Sequence, residues 1–520
     1  MKNKGKMFEF LTLFAMVIGT VVGAGIYIKN KEVLTGTHNP IIAIILWLIV
    51  GLSCVAVVYL FLEISSSTLK EGSGTVSVWA QKFINRKWGS FFSVLQSYLY
   101  APIIQSVFTA TAVSSALKIA KFEIPGYAYV ILMLVVGIAI IAITGLINIL
   151  SLNASKKIQT YGTIFKFIPL IIALIGGFTI AIIFGLKDGT FGNNGITPGI
   201  APNEAWSINR WEPLLFFRGF GGILFAFDGF IYICNSQKRA KHKDVVPKAL
   251  LFGMVFVALF YSLMAVSLFL GSPDGTIEAL LKRMLNKGQV LETANIIISL
   301  VVGIILIIVP LLGVMAYSYI AITGLESDIA DNLHHKKIEE MSIKKIGITT
   351  TSIAIVAYSL FIIVGAFSGL EKGLLATYSS VGVAQDPGAS DKIANLIGIF
   401  SSASSCFSFG IVTIILIAAL WNRKTNKVEV QKRKGFVPIC IASIIAFSLF
   451  TIMGIFTFAV PLDVIEGKAN WFKSTGSQGP IFVLSTVLSL GYVWVLWYIQ
   501  ERKMKVISVN KNDTKRYISK

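Results

Sequence analysis

Long apolar runs, separated by short charged or Gly/Pro-rich stretches, recur along the whole chain. A helix needs about 20 apolar residues to cross a bilayer. On that measure the pattern predicts twelve spans, at 8–29, 41–63, 89–117, 126–148, 160–186, 213–237, 247–270, 292–325, 347–367, 393–421, 437–460 and 479–499. Three lysines precede the first run, as in a signal peptide. Its length and the central Gly19, Gly23 and Gly25 mark it instead as a retained helix.

Two of these runs are built to break. The first reads Gly19-Thr20-Val21-Val22-Gly23-Ala24-Gly25-Ile26-Tyr27, and the sixth carries Gly219, Gly221, Gly222 and then Phe225-Ala226-Phe227-Asp228-Gly229-Phe230. Irregular backbone at membrane depth is tolerated only where it lines a cavity. Two interrupted helices five spans apart therefore point to a transporter of inverted repeats with its substrate between the breaks. Packing is the competing reading of such glycines, since small residues also mark close helix contacts.

Composition sharpens the class. Of 520 residues 55% are hydrophobic and 14% charged, with a mean hydropathy of +0.76, which excludes a water-soluble enzyme. The net charge of +20 would raise the question of nucleic acid in a soluble chain, but its placement answers it. Loops on the side of the termini carry 31 Lys and Arg, the opposite loops 13, counting Lys29 and Lys31 among the latter, and Lys166 and Arg218 fall within spans. The positive-inside rule then puts both termini in the cytoplasm, with no nucleic-acid partner. Cys54, Cys234, Cys406 and Cys440 have no CxxC spacing and read as core residues, so no zinc site or disulfide framework is implied. Neither a cofactor nor a catalytic set is suggested: four histidines, no HExxH, no GxSxG and no P-loop.

The ordered motifs resemble the amino acid–polyamine–organocation (APC) permeases, and among them the bacterial relatives of the L-type amino acid transporters. The resemblance lies in Gly19 to Tyr27, in Glu63 with Lys70-Glu71-Gly72-Ser73-Gly74, in Lys157-Ile158-Gln159 with Lys166, and in Phe225 to Phe230 with Val246-Pro247-Lys248-Ala249. Leu69 replaces the family's usual proline, Ile231 its frequent polar residue, and the eighth-span arginine is absent. The resemblance implies an all-α membrane protein of about twelve transmembrane helices in a LeuT-like 5+5 inverted repeat. Residues 8–186 form one repeat, 213–421 the other, 437–499 two extra helices and 500–520 a cytoplasmic tail. It implies a plasma-membrane secondary transporter of amino acids, with another organic cation or polyamine as the alternative cargo. A major facilitator has its long linker between spans six and seven, where this chain has about nine residues. A channel is suggested only by Thr20-Val21-Val22-Gly23.

The candidate substrate residues are Gly19, Thr20, Gly23, Ala24 and Gly25, with free amides around Gly23–Gly25 suited to a carboxylate, and Phe225, Ala226, Phe227, Asp228 and Gly229, with free carbonyls around Phe225–Asp228 suited to an ammonium. A charged group within a span is a functional hypothesis by default. Lys166 either snorkels to the rim or, as the resemblance implies, lies against the broken first helix where related folds hold sodium. Asp228 pairs with a cation, caps its own break or carries a proton. Phe225 is core or the aromatic lid of the resemblance. Arg218 reads as an interfacial anchor, and Glu63, His334 and His335 as water-facing rim residues.

Overall fold

In a computed structural model the described residues are 2–69, 74–120, 124–184, 216, 219–232, 234, 240–272, 274–286, 292–335, 341–367, 377–378, 389–465, 467–473 and 478–518. Arg218, the Lys70–Ser73 stretch and parts of the expected sixth span lie outside them. The helices are α1 Lys2–Val21, α2 Ala24–Thr37, α3 Pro40–Ile64, α4 Val76–Phe83, α5 Arg86–Leu95, α6 Ala101–Ala120, α7 Gly126–Leu150 and α8 Leu152–Phe184. They continue with α9 Phe220–Phe227, α10 Val245–Gly271, α11 Ile277–Asn286, α12 Glu292–Ala330, α13 Ile343–Phe367, α14 Ala389–Thr425, α15 Phe436–Ala459 and α16 Gln478–Ile518. One two-residue antiparallel pair, β1 Ile124–Pro125 with β2 Thr377–Tyr378, is added to the expected all-α set.

Among the described residues ten helices are long and apolar enough to cross a membrane, and the bent pair α1/α2 makes an eleventh. Among the described residues the expected sixth span is represented by the short apolar helix Phe220–Tyr232, the rest of it lying outside them. The first span also outruns its expected end. It continues to Thr37, because Lys29 and Lys31 are carried on α2 and do not end it. The expectation that both lie in a loop is thus corrected. Helix starts follow local chemistry: before α3, the Asn39 side chain accepts from the amides of Ile41 and Ile42, with Pro40 at the first helical position.

α3 packs along α10, α6 along α12, α7 along α13 and α2 against α9. α15 packs on α14 and α3, and α16 on α5 and α15. Ile131, Val135, Ile143, Ile175, Ile182 and Leu488 point outward, the apolar belt that lipid requires.

The connections fall into two rims. At one, Lys6 binds Asp244 at 2.8 Å and holds its carboxyl below the usual carboxylate range. At the same rim Glu63 accepts from the Arg423 guanidinium and the Arg433 amide, both at 2.6 Å, and Gln500 donates to the Leu333 carbonyl. At the other, Lys31 meets Asp274 and Trp471 donates to the Ala459 carbonyl. Two expectations fail at the first rim. Glu63 is 2% exposed, because Arg423 neutralises it under the loop before α15, and His334 is buried, 3.2 Å from the Tyr98 hydroxyl.

Candidate functional site

The site begins where helical hydrogen bonding stops. α1 ends at Val21, Gly23 adopts extended backbone (φ −120°, ψ −154°) and α2 restarts at Ala24, bent by 44°. The first amides of α2 have no acceptor within their helix. The carbonyls freed at the end of α1 are taken up from two sides. Lys166 Nζ donates to Gly19 O at 2.9 Å, and the Tyr261 hydroxyl donates to Val21 O at 2.9 Å. The Tyr27 hydroxyl in turn donates to the Lys166 carbonyl, which fixes α2 to α8. Lys166 is 2% exposed. It is aimed into the break, the opposite of a snorkelling geometry.

The second break faces the first. α9 ends at Phe227, Asp228 is extended, and Gly229 is left-handed at φ +93°, where a Cβ would sit 2.9 Å from the Tyr317 hydroxyl. Position 229 thus needs glycine twice over. A Cβ on Gly25 would lie 2.6 Å from Ala226 Cα, so the two interrupted segments cross in backbone contact. Thr20 lies beside Gly229, and Gly19 abuts Thr163 of α8. The Phe227 ring is directed into the core against Trp47 and Tyr261. Only its backbone belongs to the break.

Asp228 is the polar centre. Its Oδ2 accepts from the Tyr100 hydroxyl at 2.6 Å and the Ser405 hydroxyl at 2.8 Å, while its Oδ1 accepts from the Gly229 amide at 2.8 Å. Tyr100 closes a π-turn, Gln96–Tyr100, that joins α5 to α6, and such turns recur at functional sites. Around the carboxylate the Tyr100 ring lies 4.8 Å from that of Tyr232 and 6.2 Å from that of Tyr317. The Tyr232 hydroxyl lies 3.1 Å from Ser408. Phe108 bridges Phe225 and Tyr317, with ring centres 5.7 Å from each.

Sequence reasoning had missed Tyr100, Tyr232, Tyr317, Ser405, Ser408 and Lys29. The run Ser401-Ser402-Ala403-Ser404-Ser405-Cys406-Phe407-Ser408, polar within an apolar span, was the available signal for the serines. Lys29 is 2% exposed. Its ammonium lies 5.5 Å from the Phe225 ring centre and donates to Ser402 of α14 at 3.1 Å and to Glu32. A small cavity of about 40 Å³ is lined by Gly19, Thr20, Thr163, Ala316 and Tyr232, among others. Among the described residues no group of three His, Cys, Asp or Glu is placed to hold a metal.

Comparison with known proteins agrees with that chemistry. An uncharacterized protein of Mycoplasma pneumoniae is 23% identical over 98% of this chain and 92% of its own. The serine/threonine exchanger SteT of Bacillus subtilis is 26% identical over 50% of this chain and 54% of its own. The human cystine/glutamate transporter is 25% identical over 49% of this chain and 48% of its own. Each of these two matches spans about half the length of the transporter concerned. The family described as amino acid permease matches residues 8–487, nearly the entire chain. With two broken helices crossing at its centre and that match along its length, the chain belongs to the amino acid permease family, multi-pass membrane proteins that are transporters and not enzymes.

Proposed function

We propose that the chain is a secondary transporter that takes up or exchanges amino acids across the plasma membrane by alternating access, with both termini cytoplasmic. The observation that carries this reading is the crossing of the two breaks at Gly25 and Ala226, with Lys166 held on the Gly19 carbonyl. Amides at the start of α2 bind the substrate carboxylate, and carbonyls at the end of α9 bind its ammonium. A repeat of 8–186 and 213–421 is supported by helix pairing. The first, second, third and fourth spans each pack on the element five spans later, as α2 on α9, α3 on α10, α6 on α12 and α7 on α13. The Lys29 bond to Ser402, which seals one side, and the small cavity lined by Gly19, Thr20 and Tyr232 fit one state of an alternating cycle.

The Lys166 ammonium supplies fixed positive charge at the break, so transport needs no sodium. The test is counterflow of labelled amino acids in proteoliposomes, first in sodium-free buffer and then with Lys166→Ala and Lys166→Gln. Wild type transports without sodium, and both variants lose about tenfold or more in rate, a difference of roughly 1.4 kcal/mol. Strict sodium dependence removes the substitution argument. Near-normal transport by Lys166→Ala leaves the lysine a structural tie between α8 and α1.

A further inference from the structure

Asp228 is a buried carboxylate, 4% exposed, whose three donors are two hydroxyls and one amide. Hydrogen bonds donated by these groups favour the ionised carboxylate, while burial opposes it. Among the described residues no Lys, Arg or His lies within ion-pair distance of it, and the two buried lysines at the breaks are committed elsewhere, Lys166 to Gly19 O and Lys29 to Glu32 and Ser402. An uncompensated buried anion is costly and calls for a cation. The surroundings are suited to one kind. Tyr100, Tyr232 and Tyr317 bring three aromatic rings around the carboxylate, and π faces attract ammonium and guanidinium groups.

Position separates this centre from the main-chain subsite. The amides of the first break lie at Ala24 and Gly25, and Gly25 abuts Ala226. Asp228 follows Ala226 by two residues, at most about 7 Å along the chain. Its partners come from other elements: Tyr100 from the π-turn before α6, Tyr317 from α12 and Ser405 from α14. For a substrate whose carboxylate binds at the first break, this cluster lies within side-chain reach. The four-carbon stem of a lysine spans that distance. Tyr232 of this cluster also lines the small cavity at Gly19 and Thr20.

We propose that Asp228, with Tyr100, Tyr232 and Tyr317, forms the side-chain subsite for a cationic group, and that the cargo is a dibasic amino acid such as lysine or ornithine. This rests on the reading of the chain as an amino acid transporter. An acidic side chain is repelled by Asp228, and a neutral one leaves its charge unpaired.

The test uses the full chain in proteoliposomes preloaded with a mixture of amino acids, with labelled L-lysine, L-ornithine, L-norleucine, L-glutamate and putrescine as probes. Lysine exceeds norleucine, its neutral counterpart, by at least about tenfold in rate at low concentration, and glutamate is excluded. Asp228→Asn brings the lysine-to-norleucine ratio to near one. Exchange of norleucine or glutamate with lysine ignored overturns the cationic subsite and leaves amino acid transport standing. Transport of putrescine without any amino acid, or of none of the probes and none of the preloaded amino acids, overturns the transport reading itself. A ratio unchanged in Asp228→Asn overturns the assignment to Asp228. Should that variant fail to insert, the wild-type ratio decides alone.

Discussion

At Gly23 and Gly25 one added carbon has opposite consequences, although the two look alike in the sequence. A Cβ at Gly25 lands 2.6 Å from the Ala226 backbone, where nothing can yield without separating the crossed helices, whereas a Cβ at Gly23 meets nothing nearer than 3.9 Å. Gly25→Ala is therefore expected to destabilise the protein by about 2 kcal/mol, read as a lower unfolding midpoint in detergent. Gly23→Ala keeps the midpoint, its extended backbone being open to any residue, and weakens substrate binding about tenfold because the methyl group crowds the free amides. Equal midpoints for the two variants would contradict the crossing. Full affinity in Gly23→Ala would move the carboxylate elsewhere. Glycine spacing marked the place of the break, but which glycine serves packing and which leaves room depends on the neighbouring helix. The same limit applies to Glu63, which reads as a rim carboxylate until Arg423, 360 residues away, covers it.

Elements decide which side of the site is closed. α2 carries Lys29 inward, and its ammonium ties the first span to α14 over the Phe225 ring. Lys29→Met keeps the stem and removes the bond to Ser402, so the sealed side should open more often. With Thr20→Cys as a reporter beside Gly229, modification by a membrane-impermeant thiol reagent applied to intact cells should be several-fold faster in the Lys29→Met background. An unchanged rate would place the seal in other contacts. The period of apolar residues foretold a span here but ended it at 29, since a lysine normally marks a rim. The π-turn at Gln96–Tyr100 was equally silent in the sequence, because a one-residue excess in a helix leaves the apolar pattern nearly intact.

Across the whole molecule, the pairing of loops supports the charge census. The rim where Lys6 meets Asp244, Arg423 meets Glu63 and Gln500 meets Leu333 gathers segments that the census assigns to one side. Both termini are thus expected inside. Single cysteines at Lys6 and Lys503 should resist an impermeant thiol reagent on intact cells and react in inverted vesicles, whereas labelling of either on intact cells would reverse the orientation. The sequence by itself determined the membrane class, most of the spans, the two breaks and the charged residues worth explaining. Hydrophobic length, glycine placement and loop charge are local properties, and each is written in consecutive residues. Only the tertiary structure decided that Lys166 meets Gly19, that Gly25 abuts Ala226 and that Tyr100 and Ser405 converge on Asp228. Those contacts join residues far apart in the chain, and their existence depends on how helices pack around the breaks, which no local pattern encodes.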